Sequence, residues 1–288
     1  MVATIELNDG TSIPQIGFGT LNVPPDRTPS AENTAKTAEV VAQAISAGYR
    51  LIDTAQMYGN ERGVGQGIAD SNIPRDQIYV TSKLGNANHR PDDVRRSFDE
   101  TLHKLGLDRL DLFLIHWPLP TLYEGDYVST WNAVTDLVTE GLLATAGVSN
   151  FQPAHLERIV AETGIAPAVN QLEVHPGFNN TTAQVASRRH RTQVEAWSPL
   201  GQGKVLDDPA IAEIAARHHR SNAQVIIRWH IQQGNVVIVK SIHRDRMEAN
   251  LRIADFELTD SDMKVIDDLD KGEEGRIGPN PDRFEWIP

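Results

Sequence analysis

Ile78-Tyr79-Val80-Thr81-Ser82-Lys83, a helical stretch opening at Pro91, and Leu112-Phe113-Leu114-Ile115-His116 follow one another in the chain, and this strand-helix-strand unit decides the fold. Within the middle piece Val94, Phe98, Leu102 and Leu105 recur at steps of four, four and three, which places them on one helical face. Asp92, Arg95, Arg96, Asp99 and Lys104 take the other face, and Pro91 suits a first helical turn. Two strands joined through a helix must run parallel. Both end in ionisable side chains, Lys83 and His116, and the earlier run Leu51-Ile52-Asp53 does the same. Charged groups at the ends of buried strands cost folding energy unless they are paired, so three in succession point to one shared rim. Tyr58, five residues beyond Asp53, falls on the loop beside it.

Outward from this unit the pattern repeats. Apolar runs recur near 16–20, 50–53, 78–82, 111–115, 144–148, 168–172, 193–197 and 236–239, and most intervals between them have helical spacing. Eight parallel strands linked by right-handed crossovers close a (β/α)8 barrel, the TIM-barrel class of α/β fold, and the expectation is one domain over 1–288. Ile5 to Pro14 reads as an N-terminal β-hairpin, with Asp9-Gly10 supplying the positive φ angles of a tight turn. Two extra helices are expected at 208–219 and at about 260–270. The tail from Gly272 to Pro281 is too rich in Gly and Pro for helix and should run over the surface, where it could cross the pocket.

Composition narrows the function classes. A net charge of −12 argues against nucleic-acid and anionic-membrane partners, both of which require a contiguous basic surface. A local basic cluster still suits a small anion, since charges are screened beyond roughly 10 Å. The absence of cysteine rules out disulfides, thiolate catalysis and cysteine-ligated metals. No apolar run is long enough to span a bilayer, and Met1 to Glu6 lack a secretory-signal start, so the expected location is the cytoplasm.

Gly63-Val64-Gly65-Gln66-Gly67 has its third glycine one residue early for a dinucleotide fingerprint and does not follow a strand directly; Val64 and Ile68 instead suggest a helix. Val236 to Ser241, followed by Arg246 and Asn250 near a helix start, offers a strand end, a hydroxyl and two cations, which suit a phosphate. The same cations would equally suit a solvated surface. Trp197, ahead of Ser198-Pro199-Leu200-Gly201, offers a flat face for a ring or, equally, a core aromatic.

Gly48-Tyr49-Arg50-Leu51-Ile52-Asp53-Thr54-Ala55, Tyr58-Gly59-Asn60-Glu61, Val80 to Leu84, Leu112 to Pro118, Gly147 to Phe151, Asn170-Gln171, Ser198 to Gly201 and Lys240-Ser241 resemble the aldo-keto reductases, in order and over nearly the whole chain. The tail Gly275 to Asp282 is similar to the bacterial branch that includes 2,5-diketo-D-gluconate reductase. The resemblance implies NADPH-dependent reduction of aldehydes or ketones by a monomer, with Asp53, Tyr58, Lys83 and His116 as catalytic residues and Tyr58, His116 and Trp117 at the substrate pocket. It implies that Ser149, Asn150 and Gln171 hold the nicotinamide carboxamide while Trp197 stacks on the ring. Lys240, Ser241 and Arg246 would then grip the 2′-phosphate with Asn250 near adenine, and Gly19, Thr20, Leu21, Asp53, Ser198 and Leu200 would complete the cofactor contacts. Two positions depart from the family: Ala249 stands where Glu is common beside the adenine, and Gly85 stands where many relatives have Trp, which should widen the pocket.

Hydride reduction leaves negative charge on oxygen, so a site for it needs a proton donor and help at that oxygen. Tyr58 can donate once a neighbouring ammonium, Lys83, favours its phenolate; Asp53 can pair with Lys83, and His116 can orient the carbonyl. Two other readings stand beside this one. A non-catalytic NADP-binding sensor could use the same barrel, and a metal-dependent hydrolase could use Glu173, His175 and His116, although Pro176 favours a turn there.

Overall fold

A computed structural model describes residues 3–26 and 28–288; Met1 and Val2, part of the stretch read for a secretory signal, lie outside them. At the N-terminus β1 (Thr4–Glu6) and β2 (Ser12–Pro14) pair antiparallel. The positive φ of their turn falls on Gly10 alone of the expected pair, at 84°. Asp9 acts through its side chain instead, its carboxylate accepting the Thr11 N–H at 2.9 Å. Leu7 and Ile13 of this hairpin pack with Leu51, Leu112, Leu114, Val169 and Val236, so it plugs the base of the barrel.

The barrel strands are β3 (Ile16–Gly19), β4 (Leu51–Asp53), β5 (Tyr79–Leu84), β6 (Leu110–Ile115), β7 (Leu143–Ser149), β8 (Val169–Glu173), β9 (Gln193–Trp197) and β10 (Val236–Val239). All pair in parallel, and β10 closes onto β3. The eight expected runs are these strands. Around them lie α1 (Ala31–Ala47), α2 (Glu61–Asp70), α3 (Pro91–Leu105), α4 (Tyr127–Thr139), α5 (Pro153–Thr163), α6 (Thr181–Arg189), α7 (Pro209–His218), α8 (Asn222–Gln232), α9 (Arg244–Leu251) and α10 (Asp260–Asp267). The two additions to the repeating unit are α7 and α10. In α3, Val94, Phe98, Leu102 and Leu105 are buried as their spacing requires. The glycines of 63–67 lie inside α2, where each lets a neighbour approach closely: a Cβ at Gly65 would sit 2.1 Å from the Leu105 carbonyl oxygen. No described helix is long and apolar enough to cross a membrane.

Register sets the rim. Asp53 pairs with Gly19 and Thr81, Lys83 with Leu114, and Gln171 with Ser149 and Glu195, so polar strand ends from different repeats share a level. Room inside comes from small residues: a Cβ at Gly147 would lie 2.6 Å from a Leu114 methyl. The tail contains one 3-10 turn, Gly272–Gly275, where no helix of any kind was expected, and then crosses the C-terminal mouth. It is held there by the Glu173 carboxylate, which accepts the N–H groups of Ile277 at 2.6 Å and Gly278 at 2.9 Å.

Candidate active site

Asp53 is the last residue of β4, Lys83 the penultimate residue of β5, and His116 directly follows β6; Tyr58 ends a 3-10 turn, Gln56–Tyr58, rather than sitting on irregular loop. These four side chains converge. Lys83, wholly buried, donates to both carboxylate oxygens of Asp53, to the Thr54 carbonyl at 2.9 Å and to the Tyr58 hydroxyl oxygen at 3.3 Å. Its ammonium lies 5.0 Å from the Tyr58 ring centre. The His116 imidazole stands edge-on to Tyr58, with ring centres 5.8 Å apart.

Electrostatics follow from burial. Burial raises Asp53 above the ordinary carboxylate value, against the pull of Lys83. For Lys83 burial works downward, but the Asp53 charge and the Tyr58 oxygen outweigh it and hold the ammonium above the usual lysine range. His116 is driven well below its ordinary value, first by burial and then by the Lys83 charge and His89, so its imidazole is neutral at physiological pH.

A second set extends the rim. The Asn150 amide donates to the His116 carbonyl at 2.9 Å and to the Ser149 hydroxyl at 3.1 Å, and its oxygen accepts the Trp197 indole N–H at 2.9 Å. Ser149 donates to the Gln171 carbonyl at 2.9 Å, and Gln171 reaches Asp53 at 3.3 Å. Asn150 holds this position with φ at 65°, a left-handed conformation that Asn tolerates well, and Ser198 beyond Trp197 has φ at 48°. Thr20 donates its hydroxyl to the Asp53 carbonyl at 3.0 Å, joining the end of β3 to the same level; Gly19 is buried and Leu21 is exposed.

At β10 the picture differs. Lys240 and Arg246 are exposed, and among the described residues neither makes an ion pair, whereas the neighbouring Arg244 is occupied by Glu248 at 2.9 Å. Ser241 bonds to the His243 backbone ahead of α9, and Asn250 is buried beside the Tyr49 hydroxyl. Leu200 is half-buried below the Trp197 loop.

Close neighbours surround the Gly85 backbone: a Cβ there would meet Gln56 Oε1 at 3.1 Å, Asn88 Nδ2 at 3.5 Å and Met57 Cγ at 3.6 Å. Gln56 takes the room, accepting the Gly85 N–H at 2.7 Å while its own amide donates to Ser97 and Thr101, and it thereby ties the Tyr58 turn to β5 and α3. On the other side Trp117 packs against Phe284 of the tail at 4.3 Å between ring centres, and Asn86 donates to the Trp286 carbonyl at 2.8 Å. The metal reading changes. Glu173 is spent on the tail and faces His175 at 3.1 Å, and among the described residues no three His, Cys, Asp or Glu side chains gather as a metal site.

Sequence reasoning missed Gln56 and Glu195. Glu195 is fully buried in β9, and its carboxylate accepts a hydrogen bond from Gln171. The available signal was a charged residue in the middle of the strand run Gln193-Val194-Glu195-Ala196-Trp197.

A closed parallel barrel with a lysine, a carboxylate, a tyrosine and a neutral histidine gathered on its C-terminal rim has the plan of a barrel enzyme. The profile of the Aldo/keto reductase family matches residues 15–271, and the chain belongs to that family. It is therefore an NAD(P)-dependent oxidoreductase. It is 44% identical over 286 residues to an aldo-keto reductase of Mycolicibacterium smegmatis, covering 99% of each chain. It is 42% identical over 281 residues to the glyoxal reductase of Bacillus subtilis, covering 98% of this chain and 97% of that one. Among solved structures, a Gox0644 mutant in complex with NADPH superposes with a TM-score of 0.90 at 41% identity, over 99% of this chain and all of the other.

Proposed function

We propose that this chain reduces aldehydes or ketones to alcohols with NADPH, and that Tyr58 is the general acid. The observation that carries the reading is Lys83, a buried ammonium bonded to Asp53 on one side and 3.3 Å from the Tyr58 oxygen on the other, beside a neutral imidazole. NADPH, when bound, supplies the hydride.

The chain's own residues fit that cofactor. Lys240 and Arg246 are exposed cations without ion-pair partners among the described residues of a chain of net charge −12, and with Ser241 they suit a 2′-phosphate. Ser149, Asn150 and Gln171 would hold the carboxamide, and Trp197, oriented through its N–H by Asn150, would stack on the ring. Gly19, Thr20, Leu21, Ser198 and Leu200 would line the groove between these ends. Asn250 stands near the adenine position, its side chain shared with the Tyr49 hydroxyl.

As negative charge develops on the carbonyl oxygen, Tyr58 releases its hydroxyl proton to it, and the adjacent ammonium stabilises the phenolate left behind. Asp53 keeps Lys83 charged and fixed. His116 presents a neutral N–H to the carbonyl, which orients it without a competing proton donor of higher acidity. The wall of Trp117 and Phe284 suits small carbonyls, dicarbonyls and keto-sugars, in keeping with the resemblance of the Gly275 to Asp282 tail to the 2,5-diketo-D-gluconate reductase branch. The B. subtilis relative's name, glyoxal reductase, supports a dicarbonyl substrate. A panel of glyoxals, simple aldehydes, quinones and keto-sugars assayed for NADPH consumption tests this. Substrate-dependent consumption by at least one member is the expected result, and inertness to the whole panel would return the chain to the sensor reading.

A further inference from the structure

Glu195 lies below the rim, outside the four residues given chemical roles. Its carboxyl is fully buried in the barrel interior. One oxygen accepts a hydrogen bond from the Gln171 side-chain amide; the other, Oε2, is buried with no partner among the described residues. The same Gln171 nitrogen lies 3.3 and 3.4 Å from the two Asp53 oxygens. One amide thus bridges two buried carboxyl groups, and among the described residues Lys83 is the cation that acts on both. From β5, Lys83 and Tyr79 face this cluster, from β4 Asp53, from β8 Gln171; the Tyr79 hydroxyl is itself buried close to Glu195.

Two carboxylates cannot both be ionised cheaply in a dry interior with one compensating cation. Asp53 holds Lys83 directly, so the retained proton belongs to Glu195. Its loss would place a second negative charge beside Lys83, and added negative charge near that ammonium makes Tyr58 a weaker acid. We propose that Glu195 is a positioning residue whose protonation state, transmitted through Gln171 and the Asp53–Lys83 pair, sets the proton-donating strength of Tyr58. Neutral Glu195 is the active form. Burial first, and then the Asp53 charge, push the Glu195 carboxyl up to about 8.

The test is the pH profile of carbonyl reduction at saturating NADPH. The neutral, isosteric Glu195→Gln mimics the protonated side chain. In the wild type, kcat/KM should fall between pH 7 and pH 9, by as much as about tenfold where the ionised form is inactive, and Glu195→Gln should lack that step, its profile differing in shape from the wild type's over the same interval. Glu195→Leu, which fills similar volume without charge, is read the same way if the glutamine variant does not fold. Profiles of unchanged shape, differing from wild type by a constant factor, would overturn the proposal, because a merely structural role scales the rate at every pH. The proposal rests on Tyr58 as proton donor, and the two failures are distinguishable. Retained turnover in Tyr58→Phe removes that donor; a dead Tyr58→Phe together with wild-type-shaped profiles for the Glu195 variants removes only the role of Glu195.

Discussion

Lys83 and the pair Lys240 and Arg246 show how differently one charge sign behaves at two depths. Lys83 is wholly enclosed and is tolerated because Asp53, the Thr54 carbonyl and the Tyr58 oxygen accept its hydrogen bonds. Lys240 and Arg246 stand in solvent without ion-pair partners among the described residues, on a chain whose many acidic residues could have supplied them. Their position beyond β10, next to Ser241, suits a doubly charged phosphate better than a random surface. Replacing either by Ala should weaken NADPH by roughly tenfold, one charge-assisted contact, and leave NADH nearly untouched. Fluorescence titration of both cofactors reads this directly. Equal losses would place the 2′-phosphate elsewhere.

At the scale of elements, two short segments carry more than their length suggests. The 3-10 turn Gln56–Tyr58 is anchored by Gln56, which bonds to the Gly85 N–H, to Asn88 and to α3, so the Tyr58 ring rides on a fixed support. The tail is the second. Two of its glycines are places of close contact: a Cβ at Gly275 would sit 1.7 Å from the Gly177 carbonyl oxygen, and one at Gly278 would sit 2.5 Å from the Trp197 ring. Composition marked this segment as non-helical, but its Gly and Pro content could not show where it docks, because docking depends on Glu173, a hundred residues earlier, accepting two tail amides. Backbone oxygen cannot yield as a flexible side chain would. Gly275→Ala should therefore lift the tail, making the segment after Gly275 cleavable by protease at concentrations that leave the wild type intact, with the barrel's unfolding midpoint little changed. Unaltered tail cleavage would contradict the clamp.

At the scale of the whole molecule, much was legible because the barrel repeats. Apolar strand runs alternating with helices of clear apolar spacing marked all eight strands, and three strand ends, Asp53, Lys83 and His116, marked the rim. What escaped was whatever depends on contact between distant segments. Gln56 looked like any loop amide, yet it accepts the Gly85 N–H and donates into α3. Glu195 was hidden in a strand run; the β8–β9 register sets it beside Gln171, and closure of the barrel brings it near Asp53. Closure also makes the proposed site collective: Tyr58 comes from the β4 connection, its ammonium from β5, the imidazole from the end of β6, and Ser149, Asn150 and Gln171 from β7 and β8. Proton donation from Tyr58 is the central claim, and Tyr58→Phe tests it most directly, since only the hydroxyl is removed. With a carbonyl substrate that the wild type reduces, turnover should fall at least about 10²-fold while NADPH binds as before; a variant that binds NADPH and turns over at the wild-type rate would contradict the account.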